Sequence, residues 1–469
     1  MKLEIKPRTI EQVSKLLSNG QISSLELTNE YLKRIAESNP GLNLYITIMD
    51  EAARRSASES DTRNQSSTRL GKLDGIPIAI KDNLFIKGIG CSAGSKILAN
   101  FFPDYTAASV EGLQKSGAVI LGTTNLHEFA SGVTTVNPHF GAARNPWDPE
   151  RICGGSSGGS AAVVAADLAF AALGTDTSGS VRIPASLCGV VGLKPTYGLV
   201  SARGTIPVSF SFDHVGVLTQ CCVDAAIVLD SIAGYDERDP YSATPPRKYE
   251  YFEETLRSRN KRCKIGIPQK YFLDYLDTEV RNAFETVIAN LKQFGHELID
   301  VEIPNIERSE EIWAPIRFSE ASAYHSAWLK ERPNDYGEDV RMKLETGKSF
   351  SAVEYILAKK KAAQYREGML NAMETIDAFI TPTTPIPAPR IGQTSVSIGS
   401  VQLDVYSALV KQTLPFNVSG FPAVNVPMGL TRQGLPLGLQ IAGRPFDEVT
   451  ILGIASAYEM KFGSGQPAP

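Results

Sequence analysis

The first apolar positions to recur along the chain do so at helical spacing: Leu27, Tyr31, Leu32 and Ile35 fall on one stripe. Ser23 with Glu26 has capping-box spacing, and Thr9 with Gln12 repeats it one helix earlier. Asn39-Pro40 predicts the end of the second helix. From there to about Leu218 the pattern alternates between strand and helix. Ile76–Ile80 alternates as a strand and ends at Lys81; a helix begins near Thr106, and Ala118–Leu121 is a short strand. Ala161–Ala166 is an apolar helix, while Leu168–Leu173 and Val190–Leu193 are buried strands. This alternation predicts one large α/β domain, a mixed, parallel-rich twisted sheet covered by helices on both faces.

The pattern changes near Asp236. Asp236–Arg262 is charged, contains Pro240, Pro245 and Pro246, and is expected to be an exposed linker. Thr278–Phe294 and Ala352–Met373 have amphipathic helical spacing. Ala378–Ile380 and Ala423–Val426 then return to strand character. The expected organisation is N-terminal helices over 1–65, a core over 66–235, a helical elaboration on the substrate side over 236–375, and a return to the same core over 376–469. The Gly/Pro-rich tail after Gly463 is expected to fray.

Composition narrows the function classes. A net charge of −4 over 469 residues, with Lys and Arg dispersed, gives no electrostatic case for nucleic acid or an anionic membrane. Met1–Thr9 lacks the apolar core of a signal peptide, and the longest apolar run, Ala161–Leu173, is interrupted by Asp167. The expectation is a soluble cytoplasmic protein. None of the six cysteines has CxxC spacing, so neither a disulfide framework nor a zinc site is indicated.

The candidate chemistry sits in two Gly/Ser clusters, Cys153-Gly-Gly-Ser-Ser-Gly-Gly-Ser160 and Gly174-Thr-Asp-Thr-Ser-Gly-Ser180. A helix leaves the first cluster and a strand leads into the second, so both lie at one edge of the sheet. Lys81, ending a parallel strand, reaches that same edge, where ligands bind in such folds. Serine needs a base, and lysine can serve only when neutral. Burial lowers a lysine pKa from its usual value of about 10.4. Ser156 suits a proton relay, and the backbone N–H groups of Thr177, Ser178, Gly179 and Ser180 can hold an oxyanion. Position alone does not decide which serine attacks.

Other chemistries fit less well. Gly154–Gly158 formally matches the G-x-S-x-G elbow of histidine-dependent hydrolases. That elbow needs a preceding strand, and Asp148–Cys153 reads as a turn. His127 and His214 are expected to be structural. Walker and dinucleotide patterns are absent, which argues against a phosphate-binding module.

Taken together, Gly154–Ser160, Gly174–Arg182, Gly189–Thr196, Ile80-Lys-Asp-Asn83 and Thr124–Phe129 resemble the amidase signature family. The resemblance runs from the N-terminal helices to about Glu459 and is weakest between Asp236 and Leu370. It implies hydrolysis of a linear carboxamide, without metal or cofactor, through a Ser–cis-Ser–Lys triad. Ser180 would be the acylated nucleophile, Ser156 the bridging serine and Lys81 the base. Ser157, Asp176 and Arg182 fall on bracing positions, with Asp176 and Arg182 expected as an ion pair, and Ala130 on a backbone contact to substrate. Ser178 stands where many members have glycine, and Cys153 where many have proline. The rival within the family is the glutaminase component of a tRNA-dependent amidotransferase, the one case in which a nucleic-acid partner would follow. Such glutaminases usually carry an acid where this chain has Val410, and Asp where it has His127; both departures favour a free-standing amidase. Pocket walls are expected from Ile312–Ile316, Tyr324 and Tyr406–Phe416. A homo-oligomer is compatible with the sequence.

Overall fold

The computed structural model describes residues 9–245, 252–254, 262–462 and 468. Eleven strands form one mixed sheet. In chain order they are β1 (Tyr45–Ile48), β2 (Pro77–Lys81), β3 (Val119–Thr124), β4 (Ala171–Asp176), β5 (Val191–Lys194), β6 (His214–Thr219), β7 (Lys264–Pro268), β8 (Glu297–Val301), β9 (Ala378–Pro382), β10 (Ala423–Leu430) and β11 (Pro436–Gly443). Their order across the sheet is β1-β3-β2-β4-β6-β5-β10-β11-β9-β7-β8. Parallel pairs group at β3-β2-β4 and at β9-β7-β8, and the strands between them run antiparallel.

Every residue of β2, β3, β4, β5, β6, β9 and β11 is buried. Neighbouring residues of a strand point to opposite faces, so burial of both kinds means that helices cover both faces. The two α/β stretches build one sheet, as expected, because β5 pairs with β10. The middle region also supplies β7 and β8, the strands at one end of the sheet, alongside its helices Thr278–Gln293 and Ala352–Ala372.

Several boundaries differ from the sequence reading, for local reasons. The second helix runs through Pro40 to Leu42 and ends at left-handed Asn43. Asn39 Oδ1 accepts from the Leu44 and Tyr45 N–H groups, which supports the chain beyond the proline. The apolar helix begins earlier, at Gly158, and the following strand later, at Ala171. Asp148–Cys153 is not a turn: Asp148–Ile152 is a strand, but it pairs with Arg144–Asn145 in a separate hairpin, outside the main sheet. About half of the expected linker Asp236–Arg262, and almost all of the tail after Gly463, lie outside the described residues. Among the described residues no helix is long and apolar enough to cross a membrane.

Candidate active site

Three adjacent parallel strands end at one edge: β2 at Lys81, β3 at Thr124 and β4 at Asp176. The register pairs Ile80 with Leu173, so Lys81 emerges level with the start of the second Gly/Ser cluster. The helix Gly158–Ala165 starts at the same edge. Its N-cap is Ser157, whose hydroxyl makes no cap hydrogen bond. A serine there ordinarily caps its own helix. Here Ser157 Oγ instead donates to Thr175 O at 3.1 Å and accepts from Thr175 N at 3.2 Å and from Lys81 Nζ at 2.9 Å.

Lys81 is fully buried, and its Nζ lies 2.7 Å from Ser156 Oγ, 2.9 Å from Ser157 Oγ and 2.8 Å from Thr175 Oγ1. Asn83 Nδ2 also donates to Thr175 Oγ1, at 3.2 Å. Burial pulls the lysine down to a pKa of about 7, against the raising pull of the Asp176 and Asp213 carboxylates. A neutral amine has two N–H donors and one lone pair. Ser157 Oγ, with its own proton committed to Thr175 O, takes one N–H, and Thr175 Oγ1 takes the other. On that count the lone pair would be left for Ser156 Oγ, 2.7 Å away.

The Gly155–Ser156 peptide is cis. Thr135 Oγ1 holds this loop, donating to Gly154 O at 2.8 Å and accepting from Gly158 N at 3.1 Å. The loops are tied together by Ser157 N donating to Ser180 O at 3.1 Å. Gly174 is required by this approach, since a Cβ there would stand 2.8 Å from Ser157 Oγ. Gly179 is required twice over: its φ is +126°, and a Cβ would stand 2.1 Å from Thr413 Oγ1.

The turn from Thr177 to Ser180 wraps around Asp176. Its carboxylate accepts from Gly179 N at 2.7 Å and Val181 N at 3.1 Å. The Gly179 N–H is therefore committed to Asp176. Arg182 meets Asp176 through two bonds of 3.0 Å, and both side chains are fully buried. Its remaining N–H groups reach Thr413 O at 2.9 Å, Gln440 Oε1 at 2.7 Å and Asn417 Oδ1. All five guanidinium donors are used. Burial alone would raise the Asp176 pKa, but the charge and hydrogen bonds of Arg182 outweigh it and hold the carboxyl well below its usual value. Arg182→Ala is expected to destabilise the protein by about 3–5 kcal/mol by stranding a buried carboxylate. Urea unfolding measures this, and a loss under about 1 kcal/mol would contradict it.

Ala130 lies in a short turn with Phe129; both have left-handed backbone, at φ 54° and 48°. The Ala130 N–H donates to His127 O at 2.8 Å, leaving its carbonyl for other contacts. His127 Nε2 pairs with Asp339 Oδ2 at 2.9 Å, and His214 Nε2 lies 3.2 Å from Lys194 Nζ. The His127 backbone N–H donates to Ser156 O at 3.2 Å, but among the described residues no histidine side chain hydrogen-bonds the hydroxyl of Ser156 or Ser180. Lys194 is the second fully buried lysine of the core, but it faces His214 and the carbonyls of Pro195 and Phe421. Val410 is buried in an apolar cluster with Ile183 and Leu187.

Sequence reasoning missed Thr175 as a partner of Lys81, and Thr413, Asn417 and Gln440 as partners of Arg182. Thr175 stands inside the second Gly/Ser cluster, where its hydroxyl is as conspicuous as those of the serines. Asn417 stands in the stretch that follows Val410, and nothing in its spacing points toward Arg182.

A family model described as amidase matches residues 26–452. Among relatives, the A component of the glutamyl-tRNA(Gln) amidotransferase of Geotalea daltonii is 38% identical, over 97% of this chain and 98% of its own. Among solved structures, a chain from a vestigial protein complex bearing on the origins of an s-triazine catabolic enzyme superposes with a TM-score of 0.93. It is 32% identical and covers 98% of this chain and 99% of its own. A crystal structure of an amidase gives a TM-score of 0.88 at 32% identity, covering 97% of this chain and 99% of its own.

Proposed function

The chain belongs to the amidase family, and from that premise we propose that it cleaves a linear carboxamide through an acyl-enzyme on Ser180. The observation that carries the reading is the buried Lys81 held between the hydroxyls of Ser156, Ser157 and Thr175. Ser180 Oγ attacks the carbonyl carbon and passes its proton to Ser156 Oγ, as the Ser156 proton moves to Lys81 Nζ. The N–H groups of Thr177, Ser178 and Ser180 stabilise the oxyanion, a contribution of about 3–4 kcal/mol per well-placed donor. The ammonium of Lys81 then returns a proton through Ser156 to the departing nitrogen as the C–N bond breaks. Water repeats the sequence on the ester, releasing the carboxylate. Ala130 O orients the amide N–H, and Ser157, Asp176 and Arg182 hold the groups in place.

Whether the enzyme works alone is a finer question. The Geotalea daltonii relative is one component of an amidotransferase, and its similarity spans the whole chain. That favours a glutaminase working within an assembly over the free-standing amidase indicated by Val410 and His127, which are only two positions. Ammonia release from glutamine, rising when candidate partner proteins are added, is the expected result for such a component. Turnover of simple amides without any partner, with none from glutamine, would reverse the preference.

A further inference from the structure

The helix Ser309–Tyr324 carries a buried cation that the reaction above does not use. Arg317 is 2% exposed. Its Nη2 donates to the hydroxyl of Ser131, the residue after Ala130. Its Nη1 is buried with no acceptor. Among the described residues no carboxylate stands within ion-pairing distance of it, whereas Arg182, equally buried, has every donor filled. The guanidinium lies over the rings of Phe318, at 4.6 Å, and Trp313, at 5.7 Å. Stacking offsets part of the burial cost but supplies no acceptor. One turn earlier, Trp313 Nε1 is a second buried donor without a partner.

The surroundings link this corner to the reacting groups. Tyr406 and Asp213 act on Arg317, and its charge is felt in turn by His325 and Lys343. Tyr406 lies beside Ser178, and Asp213 accepts from Thr177 Oγ1 at 2.6 Å, so both adjoin the oxyanion turn. Lys343 adds a second positive charge, but its Nζ is engaged by Ser131 O at 2.8 Å and Asp339 Oδ2 at 3.4 Å. Two buried donors lack acceptors and, among the described residues, Arg317 lacks a counterion; Arg317 reaches Ser131, and Tyr406, which acts on it, adjoins Ser178. A buried guanidinium left in this state is costly unless a ligand completes it.

We propose that Arg317 is a carboxylate subsite: the amide cleaved on Ser180 carries a carboxylate that docks on Arg317 Nη1, as in a half-amide of a short dicarboxylic acid. This rests on the amide-hydrolase reading above. A charge-assisted hydrogen bond of this kind is worth about 1.5–3 kcal/mol, or roughly 10- to 150-fold in selectivity. Succinamate should therefore exceed butyramide, its uncharged counterpart, at least about tenfold in kcat/KM. Arg317→Met should bring the ratio close to one, mainly through the KM of succinamate, and Arg317→Lys should recover part of it. A ratio near one in the unaltered enzyme, or equal losses for both amides in Arg317→Met, would overturn the proposal.

Calorimetric titration with succinate tests the subsite without turnover, using the unaltered chain and Ser180→Ala. Binding to both, lost in Arg317→Met, supports the subsite even if no amide is hydrolysed, in which case the hydrolase reading alone fails. Amide turnover without charge preference and without succinate binding removes the subsite and leaves the hydrolase reading standing. Should Arg317→Met not fold, the succinamate preference and succinate affinity of the unaltered chain and of Arg317→Lys decide the question.

Discussion

Ser180→Ala is expected to abolish amide hydrolysis, with a fall in kcat on the order of 10⁶, and to abolish covalent labelling by a fluorophosphonate. The size follows from serine hydrolases in which removing the nucleophile costs as much as removing the whole catalytic group. The serine lies at the end of a turn whose geometry is fixed from both sides. Asp176 holds the N–H groups of Gly179 and Val181, and Ser157 N holds the Ser180 carbonyl. None of these bonds uses the Ser180 hydroxyl, so its loss leaves the turn intact and the effect is chemical. Ser178→Ala is the matched control, since position 178 serves through its backbone N–H and should keep labelling within a few-fold of the unaltered rate. Intact-mass measurement after labelling decides the matter. An adduct formed on Ser180→Ala at the original rate would move the nucleophile elsewhere.

The second large effect concerns Lys81. The lysine must be neutral to accept a proton, and burial places its pKa at about 7. The labelling rate at Ser180 should rise about tenfold per pH unit below pH 7 and level off above it. In Lys81→Ala the rate should be lower by roughly 10²–10⁴-fold at pH 8, the usual scale of general-base catalysis, with the gap closing as the pH falls toward 5. A bell centred elsewhere, or a pH-independent rate in the unaltered enzyme, would remove lysine from the base role. The same shift has a signed consequence for stability. In the unfolded chain this lysine keeps its proton up to about pH 10.4, whereas in the fold it releases it near 7. Between those values the unfolded state binds more protons, so the lysine's contribution to stability increases with pH. Below pH 7 the full cost of burying the charge is present. Lys81→Met should flatten this dependence in urea unfolding at pH 7 and pH 9.

The parts of the site legible in the sequence are those fixed by local pattern. An apolar alternation ending in lysine places Lys81 at a strand end, and two Gly/Ser clusters flanking an apolar helix and strand place their loops at the same edge. Parallel pairing of β2 with β4 brings these together as the pattern requires. Roles inside the loops are not legible from spacing, because Ser156, Ser157, Ser178 and Ser180 differ in hydrogen bonding rather than in position. Ser157 illustrates this: it occupies an N-cap, yet its hydroxyl turns to Lys81 and Thr175. The strands β7 and β8 escape a reading by pattern because they lie between stronger helical signals in a segment with a charged lead-in. The unfilled donor of Arg317 has no sequence signal either, since nothing in a local pattern reports that a partner is missing.

The clamp on Arg182 has a consequence for how the enzyme comes into being. Its fixed partners are Asp176, six residues before it, and Thr413, Asn417 and Gln440, more than 230 residues after it. Thr413 also reaches Ser178 O at 2.6 Å, so the nucleophile turn itself is pinned by the last part of the chain. A ribosome that has produced Lys81, Ser156, Ser180 and the first six strands has still to add Thr413, Asn417 and Gln440. The bonds that pin this turn are complete only when the last part of the chain is present, so the proposed reacting residues are all made well before the contacts that hold them.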